Sequence, residues 1–228
     1  MTSIDPRRAN LALVQREFLD MLRGVHPEGE RWATEYLHAG PSPAMLGFLR
    51  SAARSDRRAR LRGYFPRFVT HADLPPAWLA SLASPIVTAR FEAALDHHFA
   101  ACLELVEAWP EAAAWRDCLR IERAEALQRR WPASTIPELV AELRTLALPD
   151  KPLEFDERGV CDRPGFCFVQ LDTTLIDLWL VPERSPREAC EWGGPRSAAV
   201  YWCSRRQALR VVEFHDLREL ALSLALGA

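Results

Sequence analysis

Histidine and cysteine side chains in one segment of the sequence have the spacing that a metal site would need. His98 and Cys102 are four residues apart where apolar residues recur with helical periodicity, so both side chains could contact one ion. His97 is adjacent to His98 and would diverge from it by about 100° around the helix. Two ligands do not make a metal site, and no second pair has suitable spacing. We therefore predict no metal in this chain and interpret these residues as partly buried helix positions.

Glutamates at three- and four-residue spacing could supply paired carboxylates for acid–base chemistry. Glu104, Glu107 and Glu111 form one such set, and Glu122 with Glu125 forms another. Such stripes are typical of the solvent-exposed face of a helix. The sequence also lacks a glycine-rich nucleotide-binding motif, a P-loop, a nucleophile elbow and a zinc-protease motif. We predict that the protein is not itself an enzyme.

The strongest local charge is basic and could bind an anionic partner. Between Arg50 and Thr70 there are seven arginines and one acid, Asp56, whereas the whole chain has 29 basic and 31 acidic residues. This segment could contact an acidic protein surface or nucleic-acid phosphates, or it could be a polar helix face whose arginine stems cover apolar neighbours. The neutral whole-chain balance disfavours a general nucleic-acid binder. The residues that we assign to partner docking are Arg54, Arg57, Arg58, Arg60 and Arg62.

The elements that would position these residues change type near residue 150. Residues 1–150 hold 26 of the 33 alanines, and helix-start signals occur at Asp5-Pro6, Ser42-Pro43 and Ser84-Pro85. Further helices are predicted from Glu111 to Arg130 and from Ser134 to Ala147. Pro149 and Pro152 cannot continue a helix and mark a linker. We predict an all-α helical bundle over residues 1–150.

After the linker the pattern becomes that of short, half-buried strands. Residues 166–171, 198–203 and 209–214 are rich in aromatic and β-branched side chains, and the last two are joined by a hairpin-length loop that carries Arg205 and Arg206. A helix from Thr173 to Leu180 and a terminal helix capped by Asp216 are also predicted. The predicted fold class is α+β: the bundle, then a small domain over residues 151–228 with a three-stranded antiparallel sheet and helices, winged-helix-like and of the peptide-recognition type.

A three-stranded sheet has two edges, and an exposed edge can accept an extended peptide through main-chain hydrogen bonds. We choose strand 166–171 as the docking edge, because a long loop rather than a tight hairpin joins it to the other strands. The alternative is that helices or loops cover both edges. The candidate peptide-binding residues are Phe166, Cys167, Phe168, Val169, Gln170 and Leu171.

Compartment is indicated by the apolar segments and the cysteines. No window reaches the roughly 18 to 20 apolar residues that span a bilayer, and the N-terminus lacks the features of a signal peptide. Six cysteines occur with no C-x-x-C spacing, so reduced thiols and a cytoplasmic protein are predicted. Cys161 and Cys167, which flank a predicted turn at Pro164-Gly165, are the pair best placed to form a disulfide if one exists.

The C-terminal part resembles a known family of accessory proteins. Leu175–Leu180, Ala199–Arg206, Leu209–Val212 and the closing helix are similar to the C-terminal module of the HvfC-like proteins. In the N-terminal part the family's R-x-x-V-Y-R-x-N stretch is replaced by residues 89–98, where Arg90 alone matches. This departure favours the specialised members of methanobactin biosynthesis (MbnC-type), and next those of the thiaglutamate pathway (TglI-type).

The resemblance implies a non-catalytic subunit that binds the leader of a ribosomally made precursor peptide. It would form a heterodimer with a TIM-barrel multinuclear iron oxidase (MbnB-like) and present the cysteines of a short precursor for conversion to oxazolone and thioamide groups, as in the biosynthesis of copper-chelating chalkophores. The family's iron ligands belong to the partner enzyme, so no cofactor is expected in this chain. A nucleic-acid-binding regulator that uses Arg50–Arg67, with the C-terminal unit as its reader, is the competing hypothesis from another class.

Overall fold

A computed structural model of the protein describes residues 57–82, 91–131, 134–147, 153–163 and 165–226. In chain order the elements are α1 (Pro66–His71), α2 (Pro76–Ser81), α3 (Phe91–Val106), α4 (Ala112–Gln128), α5 (Ile136–Leu146), β1 (Val160–Arg163), β2 (Phe166–Thr173), α6 (Leu175–Leu178), a 3₁₀ turn (Pro186–Glu188), β3 (Glu191–Cys203), β4 (Ala208–Phe214) and α7 (Leu217–Leu226).

The chain divides into two compact units. One consists of Met1–Gly63 and Ala72–Thr88, and the other of Tyr64–His71 and Ala89–Ala228. In the first unit, residues 57–63 and α2 are helical, and Arg57 Nη1 donates to the carbonyl of Leu79 at 3.0 Å. The helices predicted to begin at Asp5-Pro6 and Ser42-Pro43 lie outside the described residues.

The second unit is built on an antiparallel sheet with strand order β1-β2-β3-β4. The α+β class is therefore confirmed, and the three predicted strands are present, but the prediction of a three-stranded sheet is wrong. The fourth strand is β1, in which Arg163 pairs with Phe166 and Val160 with Val169. Sequence patterning missed β1 because it is only four residues long and ends in two charged side chains, which leaves no alternation to recognise.

Helices cover both faces of this sheet. On one face α5 and α7 pack on a cluster that includes Phe166, Phe168 and Tyr201. On the other face lies α4, from which Gln128 Nε2 donates to Cys167 Sγ at 3.6 Å. A strand covered on both faces is expected to be almost continuously buried, as β2 is.

The separate helical bundle predicted for residues 1–150 is not confirmed. The helix α4 packs against β2 as well as against α3, so helices from before residue 150 and strands from after it share one hydrophobic core. The predicted boundary between residues 1–150 and 151–228 does not coincide with the two compact units. A winged-helix-like arrangement is not confirmed either, because α4 occupies the face of the sheet opposite α5 and α7.

Individual helix signals in the sequence are well confirmed where the structure describes them. The helix α3 buries Leu95, Phe99 and Cys102, as its periodicity predicts. The helix predicted from Ser134 to Ala147 is observed as α5, and it begins at a capping box of Thr135 and Glu138 that was not predicted. Asp216 Oδ1 accepts from the backbone N–H of Arg218 at 2.8 Å and caps α7.

All six cysteines are free thiols. Cys161 pairs with Phe168 in the β1–β2 hairpin, whereas Cys167 pairs with Asp162. Successive strand residues point to opposite faces, so the two thiols lie on different sides of the sheet and cannot bond. In the part of the chain that the structure describes, no helix has the length and apolar character needed to cross a membrane.

Candidate functional site

The strand predicted to be the docking edge is internal. Phe168 of β2 pairs with Cys161 of β1 on one side and with Ala199 of β3 on the other. The prediction that Phe166–Leu171 forms an edge is therefore wrong, because the short β1 fills the position beside it. Five of its side chains are at most 1% exposed and only Gln170 is half-buried: Phe166, Cys167, Phe168, Val169 and Leu171.

In the sheet formed by the described residues, the longer edge strand is β4. Its seven residues, Ala208–Phe214, pair with β3 in continuous register from Cys203↔Ala208 to Ser197↔Phe214. Among the described residues no strand pairs with the other side of β4. Along such an edge, alternate residues direct their backbone N–H and C=O groups away from the sheet, so a row of donors and acceptors is open to an added strand.

Half-buried apolar side chains stand beside this edge on both faces. Val212 packs against the cluster under α5 and α7, and Leu209 and Val211 alternate with it on the opposite face. An incoming strand could place its own side chains against these residues and so gain specificity in addition to backbone hydrogen bonds.

An ion-pair cluster fixes β4 to β3 and to α6. Arg196 of β3 binds Glu213 of β4 through Nε at 2.6 Å and also through Nη2. The same guanidinium reaches Asp177 of α6, with Nη1 at 3.0 Å from Oδ2, and its Cζ lies 4.9 Å from the ring centroid of Trp192. The pairs with Glu213 and Asp177 raise the pKa of Arg196, so the edge strand is held by a permanent cation.

A cavity of about 390 Å³ forms a second candidate site in the same unit. Its volume falls in the range of small-molecule pockets. Three of its walls are apolar rings, and the remaining walls carry polar or ionisable groups. The lining residues are Pro66, Arg67, Thr70, His71, Glu122, Glu125, Trp179 and Pro182.

Arg67 is the basic group of this cavity. Its Cζ lies 4.3 Å from the ring centroid of Trp179, and Nη2 donates to the Trp179 carbonyl at 3.1 Å. The atom Nη1 is buried and has no hydrogen-bond partner among the described residues. Cation–π contact and one hydrogen bond therefore fix the plane of the guanidinium while leaving part of its donor capacity unused.

Glu122 is the buried acid of the cavity. Its two carboxyl oxygens accept from the backbone N–H groups of Arg67 at 2.5 Å and of Phe68 at 3.1 Å, so α4 holds the start of α1. Burial raises the pKa of Glu122 to about 8, and the two backbone hydrogen bonds oppose the rise without cancelling it. At neutral pH this carboxyl group therefore keeps its proton for most of the time.

Glu125 is already paired with protein donors. Trp179 Nε1 donates to its Oε1 at 3.1 Å, and Arg129 Nη2 donates to Oε2 at 3.2 Å. The acids of the cavity are thus either protonated or engaged, whereas Arg67 retains an unused donor. The arrangement favours a ligand that brings acceptor oxygens.

Comparison with known proteins gives no match. No family model, no curated protein and no solved structure is similar to this chain. The resemblance to HvfC-like proteins therefore stays a prediction that depends on the C-terminal segments named above.

The structure describes the basic segment only from residue 57 onward. Arg57 is 5% exposed and donates to the Leu79 carbonyl, so it offers little surface to a partner; its assignment to partner docking stays a prediction. Arg58, Arg60 and Arg62 are exposed. Arg54 lies outside the described residues.

The interpretation of the glutamate stripes is right for one set and wrong for the other. Glu104, Glu107 and Glu111 are exposed, whereas Glu122 is 1% exposed. Glu122 lies four residues after Cys118 on the apolar face of α4, and this spacing is the signal that could have identified it. Nothing in the local sequence of Arg67 or Trp179 indicates a cavity, because they are 112 residues apart.

His98 and Cys102 pack in the protein interior. Both side chains are buried, and the His98 ring lies 5.6 Å from that of Tyr64. Burial raises the pKa of the Cys102 thiol far above its usual range, which disfavours the thiolate that a metal would need. Within the described residues no cluster of three or more His, Cys, Asp or Glu side chains could hold a metal ion.

Proposed function

We propose that this protein is a non-catalytic, peptide-binding subunit of a peptide-modifying enzyme complex. The observation that carries the proposal is the β4 edge, a seven-residue strand that pairs only with β3 among the described residues and has half-buried apolar residues on both faces. This edge replaces Phe166–Leu171 as the docking position. An extended leader peptide would add beside β4 as a further antiparallel or parallel strand.

The arginines around β4 favour an acidic leader. Arg205 and Arg206 are exposed in the β3–β4 turn, and Arg210 lies on the strand itself. Glu213, the acid of this strand, is neutralised by Arg196. An acidic peptide would be attracted to this end of the sheet, and the attraction would raise its association rate more than its final affinity.

The identity of the complex rests on the resemblance to HvfC-like proteins. We propose a TIM-barrel iron oxidase of MbnB-like type as the partner, which would carry the iron, and a short cysteine-containing precursor as the peptide. A thiaglutamate-type pathway is the related alternative. Free thiols in the folded chain support a reducing compartment such as the cytoplasm, where such precursors are made. Arg58, Arg60 and Arg62 would contribute to enzyme docking.

Proline scanning of β4 tests the docking edge. Val211→Pro and Val212→Pro each remove one backbone donor, and because adjacent residues point their N–H groups in opposite directions, only one of the two breaks the ladder to β3. We expect one variant to lose stability and the other to stay folded but to bind the precursor at least about tenfold more weakly. The probe is a fluorescently labelled, short cysteine-containing precursor peptide of the proposed class, and the readout is anisotropy.

The control is Arg144→Gln on the exposed face of α5, away from the sheet edge. Wild-type affinity in the proline variant that remains folded would show that β4 is not the dock. Failure of the wild-type protein to bind the precursor, alone or with the iron oxidase, would refute the proposed function itself.

A further inference from the structure

The cavity beside α1 has a chemistry that strand addition at β4 does not use. It is formed where α1, α4 and the segment after α6 meet, and none of its lining residues belongs to β4. Trp179, Pro66 and Pro182 give it rigid apolar walls, while Arg67, His71 and Thr70 supply polar groups. Pockets that bind small molecules combine a mostly apolar lining with a few fixed polar groups in this way.

The hydrogen-bond inventory of the cavity leaves one charged donor, on Arg67, without an acceptor among the described residues. Thr70 Oγ1 donates to the Pro66 carbonyl at 2.7 Å and keeps its lone pairs. His71 Nε2 lies 3.2 Å from the Pro182 carbonyl, an acceptor, so that nitrogen carries the proton. Arg67 is the one charged donor of the lining with a buried nitrogen, Nη1, that lacks an acceptor among the described residues. Buried donors without partners are rare in folded proteins, and a ligand oxygen is one way to satisfy them.

The two carboxyl groups of the cavity do not repel an anion as free carboxylates would. Glu122 is held by two backbone N–H groups and is mostly protonated at neutral pH. Glu125 is neutralised by Arg129. The remaining net charge is that of Arg67, whose orientation is fixed by the Trp179 ring and carbonyl.

We propose that this cavity is a binding site for a small oxyanion, a phosphate or carboxylate group recognised by the Arg67 guanidinium. Guanidinium and oxyanion form short, charge-assisted hydrogen bonds, and the planar fork suits both groups.

Calorimetric titration of the full chain tests the site with defined probes. Inorganic phosphate and glutarate are titrated separately at constant ionic strength, and glycerol serves as a neutral probe of similar size. We expect saturable binding of at least one anion with a Kd of about 1 mM or tighter, and no binding of glycerol. Phosphate binding alone or glutarate binding alone identifies which oxyanion the site accepts.

Substitutions at two positions test whether the anion binds in this cavity. Arg67→Gln removes the cation and is expected to weaken anion binding at least about tenfold, whereas the exposed control Arg144→Gln leaves it unchanged. Thr70→Asp adds a negative charge at an exposed position of the lining, and Thr70→Asn is its neutral control. Circular dichroism checks the fold of each variant. If Arg67→Gln does not fold, the Thr70 pair decides.

The proposal fails if neither anion binds the folded wild-type chain. It also fails if Thr70→Asp, or a folded Arg67→Gln variant, binds the anion as tightly as wild type. Loss of binding in Thr70→Asp with retention in Thr70→Asn supports it. Because these titrations contain no peptide and no partner, their failure leaves the proposed peptide-binding function unaffected.

Discussion

Oδ2 of Asp117 on α4 accepts hydrogen bonds from both the backbone N–H and the hydroxyl of Thr173 at the end of β2, each at 2.8 Å. The same oxygen accepts from the backbone N–H of Asp172 at 2.9 Å, and Oδ1 accepts from Arg120 Nη1 at 3.0 Å. One fully buried carboxylate thus fastens α4 to the strand that fills the middle of the sheet. Because α4 also carries Glu122 and Glu125 of the cavity, the same carboxylate holds the helix that lines the cavity against the sheet.

Asp117→Ala is expected to destabilise the protein by about 2–4 kcal/mol, because three donors on β2 would lose their acceptor and the largely buried Arg120 would lose one of its several acceptors. Asp172→Ala removes a carboxylate that also pairs with Arg120 but is 42% exposed, so a loss of about 1 kcal/mol or less is expected. Urea unfolding measures both. Equal losses in the two variants would contradict the central role of Asp117.

The raised pKa of Glu122 makes stability depend on pH. The group has a pKa of 4.5 in the unfolded chain and about 8 in the fold, so between these values the folded state holds a proton that the unfolded state has released. The contribution of Glu122 to the free energy of unfolding is fully present below pH 4.5 and is lost as pH rises towards 8. The slope is at most about 1.4 kcal/mol per pH unit.

Glu122→Gln should remove this slope, because the amide keeps the shape and does not titrate. The comparison is best made between pH 6 and pH 8, since burial also raises the pKa of Asp117 to about 6 and adds a similar slope at lower pH. As pH rises, the free energy of unfolding of the variant should increase relative to that of wild type. Glu104→Gln on an exposed helix position is the control, and parallel curves for wild type and Glu122→Gln would refute the prediction.

Local signals in the sequence were sufficient for the elements that carry them. The cap at Asp216 and the apolar spacing of Leu95, Phe99 and Cys102 each predict the helix that is observed. These signals work because the interactions that they describe lie within one or two turns of chain. The α+β class follows from the change of period after residue 150.

Long-range arrangement was not predictable in the same way. Whether strand 166–171 is an edge depends on β1, whose four residues carry no alternation, and whether Glu122 is solvated depends on α1, 54 residues away. The hydrogen bond from Arg67 to the Trp179 carbonyl joins residues that are 112 positions apart in the chain. Sequence patterns report the face of an element that is apolar, but not which element covers it.

Gly165 fixes the β1–β2 hairpin that makes β2 internal. Its φ of +80° is in the left-handed region, and a Cβ placed there would lie 2.7 Å from Leu139 Cδ2. Gly165→Ala is therefore expected to cost about 1–3 kcal/mol in urea unfolding. Gly194→Ala is the matched control, since nothing lies within 4 Å of its Cβ position. A neutral Gly165→Ala substitution would show that the hairpin tolerates a side chain at this turn.

Substitution of the exposed arginines of the basic segment distinguishes the proposed subunit from a nucleic-acid-binding regulator. The triple variant Arg58→Gln, Arg60→Gln and Arg62→Gln is expected to slow association with the proposed iron-oxidase partner, because opposite charges at an interface rim accelerate docking. The measurement is the association rate by biolayer interferometry at about 50 and 200 mM salt, with Arg144→Gln as the control; the loss should be larger at the lower salt concentration.

The same preparations are titrated with a random-sequence DNA duplex. The subunit hypothesis predicts no binding of the duplex even at the lower salt concentration. Duplex binding that weakens by about tenfold or more as salt rises to 200 mM, and that the triple variant abolishes, would instead assign the segment to phosphate contacts. In that case the charge of Arg58, Arg60 and Arg62 would serve nucleic-acid binding, and the peptide-binding role would rest on the β4 edge alone.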